Sequence, residues 1–185
     1  MPGTLVQLHE DHLPSIITAK LTDHAAAQCF RYKQLKGWGG SLVMPDASPL
    51  RYSTNSGYEV KPLAMTLEKG SWNELETTDF LDGELSINAS IGELEQSYPV
   101  VLSLTRQRGD KEQRIVITGD ADCISNGELA NSRNGIFAIN FNFITETFKW
   151  LSYGEFPIDT SRPDTVDNTI FLSRKASPWI KFFAM

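Results

Sequence analysis

Between Gln113 and Leu151 the spacing of apolar residues changes once, from a strand period to a helix period. Arg114-Ile115-Val116-Ile117-Thr118 is a short β-branched run that reads as a buried strand, and Gly119 allows a tight exit from it. Further on, Phe137, Phe141, Ile144, Phe148 and Leu151 recur at spacings of four, three, four and three, with Asn140, Asn142, Thr145, Glu146 and Lys149 mostly between them. That period predicts an amphipathic helix whose aromatic stripe packs on a sheet as core, while its polar side meets water. Gly154, after Tyr153, is placed to supply the left-handed residue that closes such a helix. Strand, polar turn and helix in succession form an α/β unit. Asp120 and Asp122 fall just beyond the carboxyl end of the strand, where open α/β sheets hold their ligands.

The rest of the chain gives weaker signals. Pro14–Leu21 reads as a strand or extended entry. Thr22 is a possible N-cap for a helix over 23–36, favoured by Ala25, Ala26 and Ala27 and ended by Gly37, Gly39 and Gly40. Leu42-Val43-Met44 and the stretch from Leu50 to Ser53 predict only brief strands. Tyr58–Thr66 is strand-like, but Pro62 demotes it to an edge or to two pieces. The polar stretch from Ser71 to Gly83 reads as a surface loop. Pro99–Gln107 is a strong strand signal, and the following Arg108–Glu112 turn is too short for a parallel crossover, so it predicts an antiparallel hairpin with the strand at Gln113. Asn168–Ser173 is a late strand candidate.

Composition narrows the class. A chain of 185 residues, 41% hydrophobic and 22% charged, can bury its own core as one domain without a disulfide, metal or cofactor. The formal charge of −6, with Lys and Arg scattered, argues against nucleic acid as a partner. Cys29 and Cys123 lack metal-ligand spacing and read as two free thiols, with a single bridge open to an oxidising compartment. Met1-Pro2-Gly3-Thr4 does not open as a secretory signal, and no apolar run reaches the about 20 residues that span a bilayer. Ser177–Met185 nevertheless turns aromatic and apolar. It reads either as the water-facing edge of a membrane helix or as a segment docking on the core.

Candidate chemistry centres on Asp120, Asp122 and Asn126. Two carboxylates at a strand end can hold a hard cation or exchange protons with a substrate. The structural alternative, favoured because no third carboxylate or histidine follows at ligand spacing, is turn and helix capping by Asp122 or Ser125. His9-Glu10-Asp11-His12 lacks the helical H-E-x-x-H arrangement, so His9, His12 and His24 read as surface residues. Cys123 beside two aspartates is a poor nucleophile, since the carboxylates suppress its thiolate. Neither a G-x-S-x-G elbow nor a phosphate-binding glycine loop occurs. Arg108-Gly109-Asp110 is a chance adhesion tripeptide in an exposed turn.

The series Arg114–Asp122, then Ser125-Asn126, Asn134-Gly135 and a helix closing on Trp150-Leu151, resembles the GldG-like auxiliary domain associated with ABC transporters and gliding motility. In that family a strand ending in a G-D-[AS]-D turn precedes an S-N pair, a second Asn and a helix ending in W-L. Pro99–Gln107 fits the strand before the motif. The resemblance implies a flavodoxin-like or amidotransferase-like layered α/β sandwich with a mixed sheet, left incomplete by truncation at an internal join near Met1. It implies one domain over 1–175, with 176–185 as the approach to a membrane helix. It also implies a non-catalytic, extracytoplasmic (periplasmic) domain of an inner-membrane protein, binding transporter membrane subunits or an exported substrate. Asp120, Asp122, Asn126 and Asn134 match motif positions and form the candidate ligand-binding or turn residues. The competing expectation is an α/β hydrolase-like or metal-assisted enzyme using Asp120 and Asp122, with Asn126 as an orienting group.

Overall fold

Two runs of alternating side chains joined by Gly109-Asp110 make the longest hairpin among the described residues of the computed structural model, which are 3–27, 39–76 and 85–155. Its strands are β6 (Pro99–Arg108) and β7 (Lys111–Thr118), in antiparallel register from Val101↔Thr118 to Arg108↔Lys111. Gly109, at φ 61, takes the left-handed position of the two-residue loop. The hairpin is as the sequence predicts, with both strands running closer to the turn.

Around it the architecture departs from the α/β expectation. Strands β2 (Ile16–Leu21), β3 (Leu42–Pro45), β4 (Glu59–Met65), β6 and β7 form a five-strand half-barrel sheet in the order β3-β2-β4-β6-β7, with every neighbouring pair antiparallel. Strands β1 (Thr4–Gln7) and β5 (Ser71–Glu74) pair separately, also antiparallel. The helices among the described residues are α1 (Asn126–Ala130) and α2 (Asn140–Leu151). The fold is mostly β, and the predicted mixed, layered α/β sandwich is corrected. Parallel strands would require crossover connections returning each helix to the sheet. Here β7 is an edge strand that feeds the helices, and no described strand follows them.

Pro62 shows how a breaker is accommodated inside a sheet. β2 joins β4 only at Ala64 and Met65, so the Pro62 end of β4 has no strand on that side and its missing N–H costs no ladder bond there. A register shift between Pro62 and Ala64 on the β6 side marks the irregularity. Thr22, expected as a helix N-cap, instead donates its hydroxyl to the Pro62 carbonyl at 2.6 Å. Of the helix predicted over 23–36, the described part is a single turn at Ala25–Ala27; the remainder, Cys29 included, lies outside the described residues. The Asn168–Ser173 strand and the aromatic 176–185 segment also lie outside them.

The stretch predicted as a loop from Ser71 begins with β5, all four residues of which are buried. Trp72 gives it one large apolar side chain, and pairing with β1 satisfies its backbone. The main core gathers Ile17, Leu42, Met44, Leu63, Val101 and Phe143. Gly119, just after β7, is forced to be glycine by a close approach: a Cβ there would stand 2.1 Å from the Ser48 carbonyl oxygen. The crossing backbones are pinned by Ser48 N–H to Gly119 O at 2.9 Å and Gly119 N–H to Val100 O at 2.8 Å. No helix among the described residues is long and apolar enough to cross a membrane.

Candidate functional site

The segment after Gly119 folds as a chain of local caps. Asp120 turns inward and its Oδ1 accepts the Asp122 N–H at 2.6 Å, closing the turn that starts the short 3-10 segment Asp122–Ile124. Ser125 then caps α1, its Oγ accepting the Glu128 N–H at 3.1 Å. Glu128 is buried and paired with Arg133 through both guanidinium nitrogens, one contact measuring 2.8 Å. Asn134-Gly135 forms the tight turn between Arg133 and Ile136, with Gly135 at φ 71. The Asn134 carbonyl contacts His12 Nε2 at 2.7 Å.

The four motif residues are not brought together as a pocket. Asp120 is buried, while Asp122, Asn126 and Asn134 are exposed. Among the described residues no group of three or more His, Cys, Asp or Glu side chains stands close enough to hold a metal ion. Burial is the main cause that raises the Asp120 carboxyl to about 6, against the pull of the Asp122 N–H and with the Asp122 charge adding to it. Its second oxygen, Oδ2, is buried without a hydrogen-bond partner. Cys123 is a buried free thiol held up at about 12, first by burial and then by the charges of Asp120, Glu128 and Asp122. It is inert as a nucleophile.

The residue that organises this corner is Asn140, which the sequence pattern assigns to the polar side of the helix. Its Oδ1 accepts the Val43 N–H at 2.9 Å, and its Nδ2 donates to the Val43 and Cys123 carbonyls, both at 2.7 Å. The side-chain amide thus takes the place of a peptide group on the edge of β3. Just before it, Ser41 N–H bonds to Phe137 O and Ile139 N–H to Ser41 O, so 137–139 runs parallel along that edge. Anchoring Asn140 inward fixes the rotation of α2. Asn140, Phe143 and Thr147 face the interior, and of the predicted core stripe Phe137 and Phe141 are turned to water, 53% and 67% exposed, with Ile144 and Leu151 half-buried. The energies account for this choice: removing Asn140 would strand three buried backbone groups at about 1–3 kcal/mol each. Burying one more phenylalanine offers about 1.5–3 kcal/mol.

The far end of α2 closes in a Schellman arrangement, with Tyr153 N–H to Trp150 O at 3.2 Å and Gly154 N–H to Lys149 O at 2.8 Å. The residue at the C′ position is Tyr153 at φ 58, one before the predicted Gly154, which is also left-handed at φ 88. Arg114 of β7 lies over both the Trp150 and Tyr153 rings and donates to the Trp150 carbonyl at 2.6 Å. That contact ties the helix to the sheet.

Two other polar centres escape the sequence reading. Glu74 and Glu93 are buried against one another and share a hydrogen bond. Glu93 accepts the Leu75 N–H at 2.9 Å and the Asn88 N–H at 2.7 Å. Burial would raise its carboxyl, but those two donors outweigh it and hold the group below the usual range. Glu74 goes the other way, raised by burial and by Glu93 despite the Trp72 Nε1–H. His24, expected at the surface, is half-buried: its Nδ1 accepts the Ala26 N–H at 3.1 Å, so Nε2 carries the proton toward Ser103 Oγ at 3.2 Å. Ser103 passes its own proton to the Lys61 carbonyl. The polarity is opposite to that which activates a serine.

An open groove of about 540 Å³ lies between β2, the 39–41 segment and the Asn134 turn. Thr18, Lys20, His9 and Ser41 give it a polar side, and Leu67, Ile136 and Phe137 an apolar wall. Among the described residues no carboxylate lines it. Sequence reasoning had no local signal for it, because its parts come from distant segments. No protein-family model, curated protein or solved structure matches the chain.

Proposed function

We propose that this chain is a non-catalytic, extracytoplasmic binding domain of an ABC-transporter-associated membrane protein, engaging a transporter membrane subunit or an exported substrate. The observation that carries the reading is the aromatic face of α2 and its approach. Phe137 and Phe141 lie open to water although the helix has the period to bury them. Each forfeits roughly half of the about 1.5–3 kcal/mol that full burial offers, and exposed aromatics grouped together mark interaction surfaces. The motif's own carboxylates support the same reading. Asp120 is spent on the Asp122 N–H and Asp122 stands apart from it in solvent, an arrangement suited to holding a turn.

A photo-crosslinking side chain placed at Phe141 in cells tests this. Adducts with the membrane subunits of an ABC transporter, or with an exported protein, are expected at Phe141 and not at the exposed Lys61 of β4. Equal labelling at both positions would remove the basis for the proposal.

A further inference from the structure

We propose that the groove beside β2 binds a ligand carrying a single carboxylate next to an aromatic or branched aliphatic group, the combination found at the carboxyl end of a peptide. This rests on the reading of the chain as a binding domain and names the chemistry its ligand would have.

The polar side supplies donors and a positive charge. Lys20 lines the groove and forms no ion pair among the described residues, whereas Lys61, Arg114 and Arg133 are each paired with a glutamate. Thr18 is buried, and its hydroxyl oxygen is fixed by accepting the Gln7 amide at 2.7 Å. Its proton remains for a further acceptor. Ser41 adds a second hydroxyl, and the histidine at the rim, His9, spends Nε2 on the Ile16 carbonyl at 2.8 Å. In a chain of net charge −6, a concavity with a cation, two hydroxyls and no carboxylate among its described lining residues selects anions over cations. One ammonium matches one negative charge, which favours a carboxylate over a multiply charged phosphate.

The apolar wall sets the other half of the ligand. Leu67, Ile136 and Phe137 line the same groove, and Phe137 is among the most exposed large hydrophobic side chains. Gly40 brings the backbone close to this wall: a Cβ there would meet Ile139 at 2.5 Å and Phe137 at 2.9 Å. The volume lies in the range of small-molecule sites, roughly 300–1,000 Å³. The second concavity, beside Arg114, Glu146 and Lys149, carries mixed charge, and its arginine is already bonded.

The test is a calorimetric titration of the 185-residue chain with N-acetyl-L-phenylalanine and, separately, with its neutral amide. Saturable binding of the acid is expected, with the amide and the Lys20→Gln variant each weaker by at least about tenfold and Phe137→Ala by about fivefold. Lys20→Arg should keep binding, and Lys149→Gln should not alter it. Lys20 is exposed, so these variants fold. No saturation, equal binding of acid and amide, or undiminished binding by Lys20→Gln would overturn the proposal. Phe141 lies outside the groove, so cross-linking there fails or succeeds independently of this titration.

Discussion

Asp120 and Glu93 are both buried carboxylates, yet their environments move their acidities in opposite directions. Asp120 has one oxygen engaged by the Asp122 N–H, with a smaller pull from the Cys123 N–H, and the other oxygen unpartnered, so burial wins and its carboxyl rises to about 6. Glu93 is also buried, yet each of its oxygens takes a backbone N–H and Glu74 shares a further hydrogen bond, so its carboxyl falls below the usual range. Burial pushes both carboxyls upward, and the difference in sign follows from whether donors reach both oxygens.

The sharpest way to break the comparison is Glu93→Ala. It strands the Leu75 and Asn88 N–H groups, and we expect a loss of roughly 2–5 kcal/mol in urea unfolding, with Glu93→Gln losing less because one acceptor oxygen remains. A loss below about 1 kcal/mol would mean those donors find other partners. Asp120→Asn should behave differently, because the retained oxygen can still accept the Asp122 N–H. The folded-state carboxyl is raised, so the stability Asp120 contributes is complete below the usual carboxylate range and is lost as pH rises through about 6. Relative to the parent, the variant should gain roughly 1–2 kcal/mol between pH 4 and pH 8, with the partial wetting of the site limiting the effect. Parallel unfolding curves at the two pH values would contradict the assignment.

The smallest expected effect has the opposite sign. His24 is lowered by burial first and by the Lys61 charge second. Its contribution is present above the ordinary histidine value and lost as pH falls below it, when a proton on Nδ1 would confront the Ala26 N–H. His24→Gln should flatten the acid side of the stability profile by under about 1 kcal/mol. An unchanged acid limb would place the cause elsewhere.

The same distinction between local pattern and distant donors explains what could be read from the sequence. The β6–β7 hairpin was legible because its alternation and its glycine turn are neighbours in the chain. The existence of α2 was legible too, but its orientation was not: the five-residue apolar stripe outweighs Asn140, Phe143 and Thr147 in any count of hydrophobicity. Only contact with Val43 reveals the Asn140 anchor. β5 was hidden because Ser71, Asn73 and Glu74 are polar, and pairing with β1 is what buries them. The mixed sheet expected in place of this antiparallel one has a related reason: β-branched runs look alike in parallel and antiparallel sheets. Of the candidate site, the position of Asp120 beyond a strand end was legible, and its inward turn was not. The groove depends on β2 meeting the Asn134 turn, a juxtaposition that no short window contains.

The amide of Asn140 also gives the half-barrel a direction of growth. By occupying both Val43 backbone groups, with 137–139 alongside, it closes the β3 side to any incoming strand. At the opposite margin, β7 has no further strand beside it among the described residues. Among the described residues, a strand added at that margin would be templated by the Lys111–Thr118 backbone, while the β3 margin is already taken.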